Sequence, residues 1–232
     1  MNLKINEMIL KKKLILLIKN SNFFLHLFAT IYSCSSIISI KGKHKNQISI
    51  QGAFLKNTRI VINGQNNRVH ISKENRLNNC KIYIQGNYCS VEIENHCILS
   101  NLELWVEDNC GKIQIGFLTT IEGGHIAVTE GGSVKIGQDC MFSHAIVIRN
   151  GDSHTIINQL TNQRINNARD VQIGDHVWLG EGVKVLKGAN IDSGAIIAAG
   201  AIVSGKIDNN SINAGIPAKK INDNIHWIRE RK

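Results

Sequence analysis

Proline occurs once in these 232 residues, and aromatic side chains make up 5% of them. With 20 glycines and abundant Asn and Ile, this composition fits a turn-rich β architecture better than a helical one. The scarcity of rings fits a thin core column of Ile, Val, Leu and Ala. The six cysteines (Cys34, Cys80, Cys89, Cys97, Cys110 and Cys140) form no CxxC pair and no zinc-ligand spacing, so neither a redox motif nor a structural zinc site is indicated. Cys140 follows Ile136 by four residues, a place that predicts a reduced core thiol and, with it, a cytoplasmic protein. Acidic residues are in deficit, 18 against 27 Lys and Arg, and the net charge is +9. Such a balance favours anionic partners. No helix-turn-helix, zinc-finger or RNP-like pattern accompanies the charge, which leaves a phosphorylated cofactor or an acidic polysaccharide rather than nucleic acid. Uninterrupted apolar runs are short near the start, because Lys19 cuts the Leu14–Ile18 stretch that follows Lys11 to Lys13. Residues 21–40 lack Lys, Arg, Asp and Glu, yet Asn22, His26 and several serines interrupt their apolarity. We read residues 1–44 as an apolar or helical segment, with peripheral membrane association at the inner membrane left open.

What the chain has in quantity is a rhythm. Ile173, Leu179, Val185, Ile191, Ile197 and Val203 are spaced six apart, and the fifth place of each unit is mostly small. Neither the 3.6-residue period of a helix nor the two-residue period of a strand gives this. A period of six fits a parallel β-helix in which each hexad forms one flat side of a coil. A slower repeat lies upstream, where Val69/Ile71, Val91/Ile93, Ile113/Ile115 and Val134/Ile136 recur at 22, 22 and 21 residues. Glycine-containing turns precede each pair, and a second series (Ile60/Ile62, Ile82/Ile84, Leu102/Leu104, Ile126/Val128) sits ahead of those turns. Residues 45–207 therefore predict one continuous solenoid in which each coil stacks on its neighbour. After Val203 a charged segment bearing Trp227 predicts a short helix capping the open end, and residues 228–232 a basic tail.

The rhythm fails once, at residues 149–170. A loop of that length inside a solenoid is more often functional than decorative. Within it, Asp152 and His154 are two apart, so an extended backbone would place them on one face. The carboxylate would then hold the imidazole in one tautomer as a general base. His144, His154 and His176 are spaced 10 and 22 apart, which does not match the pattern of a three-histidine metal site, and no metal is expected.

The hexads, the loop-borne DSH, the following RIN at 164–166, DVQIGDHVWLG at 170–180, VLKG at 185–188 and AGIPAK at 214–219 together resemble the hexapeptide-repeat, or left-handed β-helix, acyltransferases. IGQDCM at 136–141, IRNGDSH at 148–154 and Trp227 narrow the likeness to bacterial capsule and polysialic-acid O-acetyltransferases. The resemblance covers residues 45–227. It implies a homotrimer of left-handed prisms that takes acetyl-CoA between subunits and transfers acetyl to a sugar hydroxyl. His154 is then the general base and Trp178 the residue lining the reacting groups, although an outward Trp at that hexad place would equally pack on a neighbouring subunit. The Gly180 amide is a candidate oxyanion donor. Ala198, Ala199 and Gly200 form a low wall for the pantetheine arm. Lys187, Pro217, Ala218 and Lys219 correspond to places used for CoA, with a solvated surface role open for each lysine. Arg149, Arg164 and Asn166 flank the histidine as candidate contacts to an acidic acceptor. A small sugar or sugar-nucleotide acetyltransferase and a non-catalytic scaffold are the alternatives. Residues 1–44 are too short for the nucleotide-binding domain that the sugar-nucleotide alternative would often carry.

Overall fold

A computed structural model describes residues 36–41 and 45–231; the apolar run at 14–18 and the charge-poor stretch up to residue 35 lie outside them. The described residues form 25 short strands and no helix. Apart from one antiparallel strand at the C-terminal end, neighbours within a sheet are three strands apart in the chain and pair in parallel, building three sheets of eight, eight and nine strands. The result is a three-sided β-solenoid. Its first face runs from Ile37–Lys41 to Ile202–Val203, its second from Gln47–Ile50 to Lys206–Ile207, and its third from Phe54–Lys56 to Ile212–Ala214. The first rung pairs Ile38 with Ile60 and Ile40 with Ile62, so the slow repeat begins ahead of residue 45.

Strand alternation sends one residue in two inward, and stacking in register places like upon like. Ile60, Ile82, Leu104, Ile126, Ile148, Val185 and Val203 form one buried column. Leu55, Leu77, Leu99, Ile121, Phe142, Leu179 and Ile197 form another on the third face. The fifth-place residues Val177, Val183, Ala189, Ala195 and Ala201 are buried too, filling the corners where space is tight. Coil length falls along the axis: Ile60 pairs with Ile82, 22 residues on, while Val185 pairs with Val203, 18 on. Val147 pairs with Lys184, 37 on, and the excess is the excursion.

Asparagine serves the turns. Asn75, fully buried, donates to the Ser72 carbonyl at 2.9 Å and accepts from the Cys97 amide of the next coil at 2.7 Å. Asn67 links Gly86 and Cys89 in the same way. Each side chain satisfies turn groups that a curved backbone would otherwise bury unpaired. Cys140 is a free, fully buried thiol.

The C-terminus corrects the expected helical cap. Lys219–Asn222 folds back antiparallel on Ile212–Ala214, and the chain then climbs the corner between second and third faces as a strap. Trp227 stacks on His176 with ring centroids 3.8 Å apart, and its indole donates to the His176 carbonyl at 2.9 Å. Arg229 pairs with Asp139 at 2.8 Å and donates to the Cys140 carbonyl at 2.9 Å. The 228–231 segment is thus engaged on the solenoid, because a carboxylate and backbone carbonyls on the corner receive its guanidinium.

Candidate active site

The excursion leaves at the corner between first and second faces, joining Ile146–Arg149 to Val171–Ile173. Its tip is a hairpin with Ile157 bridged to Arg164 and Leu160 almost wholly exposed. Two coils hold the loop from opposite sides. Glu130, from the preceding coil, pairs with Arg164 and accepts the Ala168 amide at 3.2 Å. Lys187, from the following coil, pairs with Asp152 and donates to the Asn166 carbonyl at 3.3 Å. Between them sits Asn166, 5% exposed. Its oxygen accepts from the Ile156 amide at 2.8 Å and from Arg164 at 3.2 Å. Its nitrogen donates to Asp152 at 3.0 Å and to the His154 carbonyl at 2.7 Å. Hydrogen bonds from Arg164 and the Ala168 amide hold the Glu130 carboxyl below its usual range. Those from Lys187 and Asn166 do the same for Asp152.

This clamp revises several roles. Ser153 has φ +66°, so the DSH stretch turns instead of extending, and the His154 amide donates back to the Asp152 carbonyl at 2.8 Å. The Asp152 carboxylate therefore faces Lys187 and Asn166, not the His154 ring. Asp152 positions the loop rather than the imidazole. His154 is exposed, and its ring has no hydrogen-bond partner among the described residues. Lys187, Arg164 and Asn166, expected at CoA phosphates and acceptor, are likewise engaged in the clamp. Glu130 was invisible to a local motif, since it lies 34 residues from Arg164 in the chain. Arg149 is different: its guanidinium reaches the Ser153 hydroxyl at 3.5 Å and has no ion pair among the described residues.

Trp178 stands on the third face, partly exposed, with its ring centroid 6.0 Å from that of Trp227. It and His154 are on different sides of one prism. The turns at the corner between third and first faces stack coil on coil: Gly182 donates to the His144 carbonyl at 3.0 Å and Gly200 to that of Glu181 at 2.8 Å. Ala198 is half-buried, Ala199 and Gly200 are exposed, and a Cβ added at Gly200 would meet nothing within 4 Å. The low wall is there, but the Gly180 amide already donates to the Ile197 carbonyl at 2.8 Å. Strand pairing uses that N–H, so an oxyanion at this place would compete with the Ile197 carbonyl. Pro217 is exposed and Ala218 packs against the core end, its amide on the Ile202 carbonyl at 2.8 Å. Lys219 is exposed with no ion pair among the described residues, whereas Lys220 pairs with Asp208 and Asp223.

The three histidines considered for a metal occupy three different corners. His144 pairs with Glu181 at 2.8 Å, His176 with Asp139 at 2.7 Å, and His154 is in the loop. No cluster of three or more His, Cys, Asp or Glu among the described residues is placed to hold a metal ion.

A parallel three-sided solenoid of hexads, interrupted by one clamped, histidine-bearing loop, defines a hexapeptide-repeat acyltransferase of the left-handed β-helix class. No family model matches the chain. It is 46% identical over 69 residues to a polysialic acid O-acetyltransferase of Neisseria meningitidis, covering 30% of this chain and 32% of the relative. It is 44% identical over 121 residues to one of Escherichia coli O1:K1 / APEC, covering 52% of this chain and 39% of the relative. The chain thus aligns with well under half the length of either curated relative. The crystal structure of the polysialic acid O-acetyltransferase OatWY superposes with a TM-score of 0.82 at 32% identity, covering 84% of this chain and 92% of that one. The polySia-specific acetyltransferase NeuO gives 0.79 at 30% identity, covering 85% and 91%. The chain belongs to the polysialic acid O-acetyltransferase family.

Proposed function

We propose that this protein transfers acetyl from acetyl-CoA to a hydroxyl of polysialic acid. The observation that carries the reading is His154, an exposed imidazole on a loop fixed by five buried or paired side chains, in a fold shared over nine-tenths of the length of OatWY. His154 takes the proton from the sugar hydroxyl as its oxygen attacks the thioester carbonyl. A C–O bond forms, the tetrahedral intermediate collapses, the C–S bond breaks, and the thiolate leaves as CoA with the proton held by His154. No side-chain nucleophile is needed when the hydroxyl attacks directly, and among the described residues no cysteine or serine side chain contacts the His154 ring.

The site as read is shared between subunits of a homotrimer. The loop hairpin exposes Ile156, Ile157, Leu160 and Ile165, and the third face presents Met141, Trp178, Ile196 and Ile212 outward in adjacent register, with Thr120 between Met141 and Ile98. Apolar side chains on both surfaces favour burial against one another, which would bring His154 of one protomer to Trp178 of the next. Acetyl-CoA is read along Ala198, Ala199 and Gly200, with Lys219 toward its phosphates and Arg149 toward the acceptor carboxylate. No helix among the described residues is long and apolar enough to cross a membrane. The five cysteines among the described residues are all free thiols, which supports a cytoplasmic placement. The test is His154→Ala with polysialic acid and acetyl-CoA. Thiol release should fall to background while the oligomer and CoA binding persist. Retained turnover in that variant would refute the mechanism, and no thiol release by wild type with any polysaccharide would favour a scaffold.

A further inference from the structure

The outward side of the first face carries a ladder that extends from Arg149 away from the groups assigned to acetyl transfer. Register sets Tyr83 beside Trp105 and Glu103 beside His125. Ring centroids are 4.5 Å apart for Tyr83–Trp105 and 5.9 Å for Trp105–His125. The Lys81 ammonium lies 4.3 Å from the Trp105 ring, and the indole donates to Glu103 at 2.9 Å, which fixes its plane. Arg149 ends the same register column two coils beyond Trp105. Neither Lys81 nor Arg149 has a carboxylate partner among the described residues. Burial first, then the charge of Arg149, hold the His125 imidazole below its usual value, so at neutral pH it presents an uncharged ring. Trp105, His125 and Arg149 line one concavity with Gly151 and Ser153, and the ladder therefore opens against the loop that bears His154.

Two physical features fix the ligand class. Flat rings with a polar rim take the apolar face of a sugar, while uncompensated cations take carboxylates. Outward cations on this face (Arg59, Lys81, Arg149, Lys184) outnumber the outward carboxylates Glu103 and Glu107. Three coil steps separate Tyr83 from Arg149, about 14 Å at the usual inter-strand spacing. That is longer than one sugar ring, so a monosaccharide cannot reach both ends.

We propose that this ladder is an extended acceptor subsite that holds the sugars of an anionic polysaccharide next to the one acetylated. The proposal rests on the reading of His154 as base for a polysialic acid acceptor, and it makes the polymer, not the free sugar, the preferred substrate. Trp105→Ala and Lys81→Glu both alter outward side chains and leave the core columns intact. Kinetics with long polysialic acid and with a sialic acid dimer should show polymer KM raised roughly tenfold by Trp105→Ala, with kcat and dimer turnover unchanged. Calorimetry of polymer on the His154→Ala enzyme, with and without Trp105→Ala, should show the same loss of affinity. Unchanged polymer KM in both variants of an active enzyme overturns the subsite and leaves the function standing. Equal losses on dimer and polymer also overturn it, placing the ladder at the reacting sugar. A wild-type enzyme that acetylates no sialic acid polymer overturns the functional reading, and the calorimetric difference then decides the subsite alone.

Discussion

Asn166→Ala separates the solenoid from its loop. The side chain makes four hydrogen bonds, to the Ile156 amide, Arg164, Asp152 and the His154 carbonyl, and two of these partners are charged. A net bond contributes about 1 kcal/mol, rising to about 1.5–3 with a charged partner. Because such bonds are not additive, about 3 kcal/mol is a reasonable loss for the whole side chain. That loss falls on the loop alone, since residues 151–169 contribute nothing to the apolar core, and local opening is decoupled from global unfolding. At about 1.4 kcal/mol per decade the ceiling is roughly a hundredfold fall in kcat/KM. The Lys187–Asp152 and Arg164–Glu130 pairs survive the change and set a floor of about tenfold. Steady-state kinetics should find a loss in that interval, with a melting temperature within about 2 °C of wild type and faster amide exchange confined to 152–168. Wild-type kcat/KM in a folded variant would refute the positioning role. A collapse in melting temperature would refute it too, by showing that Asn166 holds up the solenoid.

The clamp also sets an acid limit. Asp152 and Glu130 have carboxyls held below their usual values, so their contribution is present above the unfolded range of about 4 and is lost only as pH falls through the depressed folded values. Loop protection measured by amide exchange should therefore stay constant from pH 7 to about 5 and fail only in stronger acid; failure near pH 6 would refute the clamp. Thiol labelling should separate the cysteines by depth. Exposed Cys110 should react within minutes, while Cys80, Cys97 and Cys140, pushed by burial up to about 11, about 12 and about 12, should label only on unfolding. Fast labelling of Cys140 in the native protein would contradict its place in the core.

Much of the scaffold was legible because a hexad is a local code. An aliphatic residue every six positions and a small one at the fifth place dictate inward direction and corner space without reference to any distant residue. The 22-residue repeat was equally readable, since coils of equal length stack in register. Tyr83 and Trp105 lie 22 apart, so that repeat already predicts their contact. The strap could not be read in this way. Trp227 and His176 are 51 residues apart, and nothing near either one announces the other.

The candidate site divides along the same line. Its location followed from the broken rhythm at 149–170, and the identity of His154 from the motif around it. The partners did not follow, because the excursion is held by coils before and after it that sequence distance conceals. Asp152 was assigned to its neighbour His154 on the assumption of an extended backbone; a left-handed Ser153 turned the carboxylate toward Lys187, 35 residues away. By itself, then, the sequence determined a stacked β-solenoid and a histidine-bearing interruption, since both are written in spacing along the chain. Tertiary structure alone decided which charges are spent on the clamp, leaving Arg149 and Lys219 without an ion pair among the described residues, and that the Gly180 amide pairs with the Ile197 carbonyl. Hydrogen bonds and ion pairs form across coils, between groups that proximity in space, and not in sequence, brings together.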